Sequence, residues 1–565
     1  MTQDSLLHLR RLSIVGGITL AALLPFVGKP FQVDDPLFLR AARQIQEHPL
    51  DPYGFRYNMY QYEQPFYTIT KNPPLSCYLL ALCARLVGWN EVGLHLCYLL
   101  PALAAATGTY FLARRFCNLP AEATLLAVAT PAFLVSATSV MCDTLMLALW
   151  CWAIEFWFRG LDSRRAAYFL TSSVLIACAA LTKYFAVSLI PLLALITLAR
   201  RRWFDECLFW LLVPLAFLGA YEVYTIHLYR IGLLGDAMRF GRQMRAQFSL
   251  HVSATNQVIT ALAYPGGCFV TILFLAPMAW SKWEWLGFAA ILVLAVLSFL
   301  RLGSYDDIPL VSDGQIAWSP FCHLVLYWSA GLCALMLGLV DWWRRRDVGS
   351  LFLNLWLFGT WYFTVMVNWT VNARSFLPAA PALGILLMRQ FDYWQQGAPS
   401  GPKAAPAGRF RWAAGLALAA SFAVSMSVAW AEYSDAWIQR EAVRRIVEEH
   451  RSTPAPLWFW THRGFQYYME AAGARPWSPM TSEVAPGEWL AYQVFEGDNS
   501  IAKMVDRSDV VLSFDLPLPC RLSPTSYRTA NFYGFAGFPF ALFPSSSEAF
   551  RVITPRVQEG KASNK

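Results

Sequence analysis

The sequence predicts an all-α polytopic membrane domain of about thirteen transmembrane helices with juxtamembrane helices, followed by a small α/β domain outside the membrane. Three observations predict it. Of 565 residues, 56% are hydrophobic and 15% charged, with a mean hydropathy of +0.38, a balance that sets soluble globular classes aside. Apolar runs, most of them long enough to cross a bilayer, recur along the chain up to residue 430. After Tyr433 the pattern changes to short helical and strand-like stretches, as in an α/β fold. The domain division expected is 1–430 and 431–565.

The thirteen runs lie at 12–29, 92–113, 121–138, 143–159, 166–181, 184–199, 206–227, 257–280, 283–300, 320–340, 351–369, 374–391 and 411–430. The first has no small-residue cleavage pattern and precedes many others, so it reads as a retained anchor rather than a signal peptide. A further stretch, Pro73 to Gly88, is short and opens on Pro73-Pro74; it reads as a helix in or dipping into the interface. With thirteen crossings, Arg114-Arg115, Arg164-Arg165, Arg200-Arg201-Arg202, Arg344-Arg345-Arg346, and Arg409 with Arg411 all fall on the side of Arg10 and Arg11. That is the positive-inside pattern, and a full crossing by Pro73 to Gly88 would turn most of these clusters outward.

On this topology the N-terminus is cytoplasmic. The loops at 30–91, 228–256 and 301–319 and the tail from 431 emerge on the far face. A bacterial inner membrane with a periplasmic tail is the preferred setting, and an endoplasmic reticulum membrane fits the same topology. Residues 392–410, rich in Gly, Pro, Ala and Lys, read as a flexible linker. In the tail we expect a helix over Asp435 to His450, a strand at Leu457 to Trp460, a helix from Gly464 to Ala472, and strands at Trp489 to Phe495 and Val510 to Phe514.

Several function classes drop out. The net charge of +8 comes mostly from clusters beside apolar runs, whose natural partners are lipid headgroups, so no nucleic-acid partner is called for. Eleven of twelve cysteines lie in or beside apolar segments, and no CxxC or disulfide framework is present. HExxH, Cys/His ligand spacing, a nucleophile elbow, a phosphate loop and internal repeats are all missing.

The candidate chemistry gathers in the outside pieces. Asp34 and Asp35, in Phe31-Gln32-Val33-Asp34-Asp35-Pro36, follow the first run directly; acids at a membrane boundary are capped, paired or used. An Asp before Pro at a helix start is a cap signal, and a carboxylate there can equally serve as a general base. Lys71, in Lys71-Asn72-Pro73-Pro74-Leu75, closes the same loop and reads either as a snorkelling cation or as a ligand for an anion. Asp143 begins the fourth run, with Lys183 in a turn on the same face; a helix cap, an ion pair and a functional acid are all open. Arg374, at the outer end of the twelfth run, could grip a phosphate or snorkel. Arg230, Arg239, Arg242 and Arg245, interleaved with Met238, Phe240, Met244 and Phe248, have the pattern of a basic amphipathic helix resting on membrane lipids. Glu222 and His227 read equally well as a satisfied buried pair.

In this order and on one side, Val33-Asp34-Asp35-Pro36, Lys71-Asn72-Pro73-Pro74-Leu75, Asp143 and Arg374-Ser375-Phe376-Leu377-Pro378 resemble a superfamily. It is the C-type membrane glycosyltransferases of the protein O-mannosyltransferase and aminoarabinose (lipid A) transferase kind. The resemblance spans residues 10 to 390. It implies a donor sugar carried on a polyprenyl phosphate and a catalytic base at the Asp of an Asp-Glu pair after the first helix. Asp34 matches that Asp and Asp35 replaces the Glu. Lys71 matches the lysine of the Lys-Pro motif, where Thr70 stands in place of the Glu found before it in the aminoarabinose transferases.

The resemblance implies catalytic roles for Asp34, Asp35 and Asp143 and donor-phosphate binding by Lys71 and Arg374, and Lys183, from its place on the same face as Asp143, is a further candidate for the phosphate. Asp34 would take the proton of an acceptor hydroxyl and the oxygen would attack the anomeric carbon with inversion, while the cations stabilise the departing phosphate. The acceptor would be an envelope lipid such as lipopolysaccharide, a glycan or a protein, and the sugar a hexose or pentose. No cofactor is required, although Asp34, Asp35 or Asp143 could ligate a divalent metal. The alternative from another class is a transporter or lipid flippase, which would favour repeated halves and midplane polar groups. Neither is evident here.

Overall fold

The computed structural model describes residues 3–59, 62–201, 205–312, 314–395, 407–494, 501–525, 530–534, 537–542 and 547–556. Packing divides the chain into two compact units: one of Met1–Gly28, Lys71–Trp430 and Leu522–Leu542, the other of Lys29–Thr70, Ala431–Arg521 and Phe543–Lys565. This division is not the single cut at 430 expected above. The first outer loop joins the tail's unit, and one stretch of the tail joins the helical unit.

The first unit is almost entirely helical. Eight described helices are long and apolar enough to cross a membrane, or nine if one bent pair counts as a span, against thirteen runs in the sequence. The difference has local causes. The run at 121–138 is broken into Pro120–Val128 and Pro131–Ala137, bent by 66°, because Pro131 cannot continue the preceding helix. The run at 257–280 leaves the α-helix after Cys268 and continues as two short 3-10 turns. The run at 374–391 splits into Ala373–Phe376 and Ala379–Gln395 around Pro378. Ala166–Thr182 is apolar but only 17 residues long. The Pro73 to Gly88 stretch forms a 13-residue helix, Leu75–Val87, short of the ~20 residues a bilayer needs.

Most of the arginine clusters turn to acids rather than to lipid alone. Arg115 pairs with Glu155 and Asp162 at 2.6 Å each, Arg164 with Asp205 at 2.8 Å, and Arg200 with Asp162 at 2.8 Å. Arg344 meets Glu284 at 2.5 Å, and buried Arg389 meets Asp341 at 3.0 Å and Asp347 at 3.1 Å. Composition could not show this, because the acids come from helices distant in sequence.

The second unit carries a five-stranded sheet in the order Ser508–Pro517, Ser547–Pro555, Trp489–Gln493, Leu457–Trp460, Arg475–Pro476. Pairing is antiparallel across the first three and parallel from Trp489–Gln493 onward. Helix Arg463–Ala471 and the end of the 44-residue helix Ala407–His450 pack against it through Phe465, Met469, Ile438, Ala442 and Ile446, which meet Phe459, Ala491, Phe550 and Val552. The strands at Leu457 and Trp489 and the Arg463 helix fall where the sequence pattern placed them. The strand Ser547–Pro555 does not announce itself in the pattern, yet it lies between two of the others. Phe495 and most of the 392–410 linker lie outside the described residues.

Candidate active site

Within the second unit, Asp34 and Asp35 part company. Pro36 lies in the first turn of helix Asp35–Glu47, where its missing N–H costs nothing. The Asp34 carbonyl accepts from Leu37 N–H at 3.0 Å, while its carboxylate makes no capping bond. Capping therefore does not explain the Asp34 side chain, which is half-buried. Asp35 is fully buried, and its Oδ2 accepts the Gln32 N–H at 3.2 Å. The two acids thus face different surroundings: Asp35 is fully buried and bonded to its own turn, and Asp34 is half-buried.

That turn is held in an unusual shape. Val33 has φ +52°, a left-handed conformation that a β-branched residue adopts at a cost of order 1–3 kcal/mol, and such outliers cluster at functional sites. Elements distant in sequence impose it. Phe31 N–H donates to the Tyr468 hydroxyl at 2.8 Å, and Gln32 Nε2 donates to the Glu432 carbonyl at 3.2 Å. Lys29 forms an ion pair with the Glu432 carboxylate. Gly464 lets this loop approach, since a Cβ there would lie 2.7 Å from the Phe31 carbonyl oxygen. Arg40 pairs with Glu470 and Gln466 Nε2 donates to the Asn58 carbonyl at 2.9 Å, so one face of helix Arg463–Ala471 is fastened to the first outer loop at two points.

Within the first unit, Asp143 stands in the first turn of helix Asp143–Ser163 and is 1% exposed. Lys183 Nζ lies 2.7 Å from its Oδ1, and Arg374 Nη1 lies 3.7 Å from its Oδ2 and 3.0 Å from the Met141 sulfur. Two cations share one carboxylate, so the cluster carries an excess of positive charge in a buried place, where fields are weakly screened. Asp143 Oδ1 accepts from Lys183, while its Oδ2 makes no hydrogen bond and meets Arg374 only at ion-pair distance.

Arg374 owes its position to an irregular stretch of backbone. The π-turn Phe363–Val367 closes with Asn368 N–H on the Phe363 carbonyl at 2.8 Å; such turns recur at functional sites. Asn368 Nδ2 then donates to Ser375 Oγ at 3.0 Å, and the Asn372 side chain caps the short helix by accepting the Ser375 N–H at 2.9 Å. The Arg374 Cζ stands 4.9 Å from the centre of the Tyr533 ring.

Lys71 takes a separate partner. Its Nζ lies 2.6 Å from Asp236 Oδ2 and 5.1 Å from the centre of the Phe240 ring. Both residues belong to helix Leu233–His251, the basic amphipathic helix read in the sequence. Glu222 caps this helix by accepting the Leu234 and Gly235 N–H groups at 2.8 and 3.1 Å. Its role is structural, and it is not a partner of His227. Phe240 packs on Trp369 and Arg245 donates to the Val365 carbonyl, so the helix runs from Lys71 to the π-turn that leads to Arg374. The Lys71 and Asp143 clusters both belong to the first unit.

Among the described residues, no group of three or more His, Cys, Asp and Glu side chains comes together as metal ligands. Sequence reasoning missed Glu432, Asp236 and Tyr533. The first had a signal, since Lys29 and Glu432 are ionisable residues bordering apolar runs and such residues seek each other. Asp236 and Tyr533 had none, because their importance lies in contacts across the fold.

Residues 71–224 match the family model described as dolichyl-phosphate-mannose-protein mannosyltransferase. The match begins at Lys71 and includes Asp143 and Lys183. Among solved structures, the chain is similar to ArnT from Cupriavidus metallidurans in the apo state, at 12% identity over 96% of this chain and 97% of that one, with a TM-score of 0.51. It is also similar to the Archaeoglobus fulgidus oligosaccharyltransferase in the apo form, at 13% identity over 85% of this chain and 65% of that one, with a TM-score of 0.49. No curated protein is matched by the sequence. The resemblance to C-type membrane glycosyltransferases of the mannosyltransferase kind, read from short motifs, is thus met independently by a family model over 154 residues and by a shared fold over nearly the whole chain.

Proposed function

We propose that the protein is an integral membrane glycosyltransferase that moves a sugar from a polyprenyl-phosphate donor to a hydroxyl of a cell-envelope acceptor, on the non-cytoplasmic face and with inversion. The observation that carries this reading is the buried cluster of Lys183 and Arg374 on the single carboxylate of Asp143. A cluster with surplus positive charge suits a phosphate monoester, and the matched family is named for a dolichyl-phosphate sugar. The strained turn at Val33 supports a working role for Asp34.

In this mechanism the Asp34 carboxylate accepts the proton of the acceptor hydroxyl as its oxygen bonds to the anomeric carbon. The bond from that carbon to the phosphate oxygen breaks, and polyprenyl phosphate leaves with both electrons. Arg374, Lys183 and Lys71 stabilise the charge that grows on it. Asp143 orients two of these cations, and Asp35 holds the turn that presents Asp34. The chemistry needs no metal.

The test is transfer by the purified chain from a panel of polyprenyl-phosphate hexoses and pentoses to lipopolysaccharide, glycan and protein acceptors, with the product's anomeric configuration read by NMR. Inverted product from at least one donor supports the reading. A retained configuration, or no transfer from any donor, overturns it.

A further inference from the structure

We infer that Tyr533, from a stretch of the tail, is a positioning residue for Arg374 and thereby sets the grip on the donor phosphate. The inference rests on the reading of Arg374 as a phosphate-binding cation. Nothing in the sequence joins the two residues, and the resemblance does not extend to the tail.

The geometry is built from several independent anchors within the first unit. Three buried tyrosines reach the backbone of the 522–542 stretch: Tyr264 to the Asn531 carbonyl at 2.5 Å, Tyr305 to the Gly537 carbonyl at 2.9 Å, and Tyr327 to the Phe540 carbonyl at 3.0 Å. A Cβ at Gly267 would lie 2.4 Å from Pro539, so that helix is shaped for the tail's approach. The Ala373 N–H donates to the Phe532 carbonyl at 3.0 Å. This bond joins the residue before Arg374 to the residue before Tyr533 and so fixes the register of the two side chains.

The turn that follows is equally specified. Asn531 Oδ1 accepts the Tyr533 N–H at 2.9 Å, and the Asn531 carbonyl accepts the Gly534 N–H at 3.2 Å. Gly534 has φ +119°, a conformation closed to other residues without strain, and its α-carbon faces Thr370. With Phe532 and Tyr533 both buried, the ring has little freedom to leave the guanidinium.

An aromatic face attracts a guanidinium through its negative quadrupole and leaves the N–H groups at the guanidinium edge available. With its Cζ over the Tyr533 ring, Arg374 is held with Nη1 towards Asp143 and Met141. Without the ring, the side chain would gain rotamers and lose part of that alignment.

The test uses the full-length chain in detergent with undecaprenyl phosphate as probe and the dissociation constant as readout. Position 533 carries phenylalanine and then mono-, di- and trifluorinated phenylalanines, which keep the ring's shape while draining its face of negative charge. Tyr533→Phe should bind within about twofold of the native chain, and the constant should rise stepwise to about tenfold at the trifluorinated ring. The same series in an Arg374→Ala background should be flat. A flat series in the native background, or an equal gradient without Arg374, overturns the inference. If Arg374→Ala alone leaves binding unchanged, the phosphate role of Arg374 falls instead, which separates the two failures.

Discussion

Lys29 and Glu432 form an ion pair of 3.3 Å in which both side chains are entirely buried. The pair ties the end of the first apolar run to the start of the tail, one turn of chain away from the acid that we read as the base. Removing one partner takes the paired opposite charge away from an ion that is fully buried. Lys29→Ala or Glu432→Ala should therefore destabilise the second unit by about 3–5 kcal/mol, whereas replacing both by Met and Leu should cost far less. Thermal unfolding of the three variants decides this, and equal losses for single and double replacements would contradict it.

Asp34→Asn keeps the size of the side chain and removes the proposed base. The turnover rate should fall by about 10²–10⁴-fold, with undecaprenyl phosphate binding unchanged. Asp35→Asn acts differently, since Asp35 accepts the Gln32 N–H inside the turn; its loss should appear mainly as lowered stability. Undiminished transfer by the Asp34 variant would remove it from the base role.

In the proposed mechanism a donor phosphate would compete with Asp236 for Lys71, whose ammonium lies 2.6 Å from the Asp236 carboxylate. The pair is partly open to solvent and is worth no more than about 1 kcal/mol. Asp236→Asn should thus tighten undecaprenyl phosphate binding by about two- to fivefold, and Lys71→Ala should weaken it. Isothermal titration of both variants reports the signs directly, and weaker binding by the Asp236 variant would show that the pair belongs to the bound state as well.

Glu548, on the strand Ser547–Pro555, carries a pH dependence. Burial, and then the Asp435 carboxyl hydrogen-bonded to it, hold the Glu548 acid well above the usual carboxylate range. The folded state therefore keeps a proton that the unfolded state gives up near pH 4.3. Stability from this site is present below that pH and is lost as pH rises from there towards the folded value. Glu548→Gln should flatten the decline, so the variant's advantage in melting temperature should grow between pH 4 and pH 7. A constant offset would show that the two acids do not share a proton.

Much of the helical unit was legible because hydrophobic length is a local property: Gln3–Leu23, Glu91–Phe116 and Trp318–Arg345 read directly from apolar runs. The broken runs were not, since where a helix bends depends on the proline's neighbours as well as on the proline. Asp34, Lys71, Asp143, Lys183 and Arg374 were found by residue type and boundary position, and the structure brings Asp143, Lys183 and Arg374 together. Their helpers were illegible. Tyr533 and Asp236 matter through single contacts across 159 and 165 residues, respectively, and no local pattern encodes such a contact.

The bond from Phe31 to the Tyr468 hydroxyl joins residues 437 positions apart, and this distance is also a delay. At about 5–20 residues per second, a ribosome needs roughly 20–90 s to travel from one partner to the other. For that interval the Val33 turn lacks the contacts that force its left-handed backbone, and Arg374 in its turn waits roughly 8–32 s for Tyr533, 159 residues on. A nascent chain therefore lacks, until its tail is made, both the contacts that shape the Val33 turn and the ring beside Arg374 on which the proposed transfer depends.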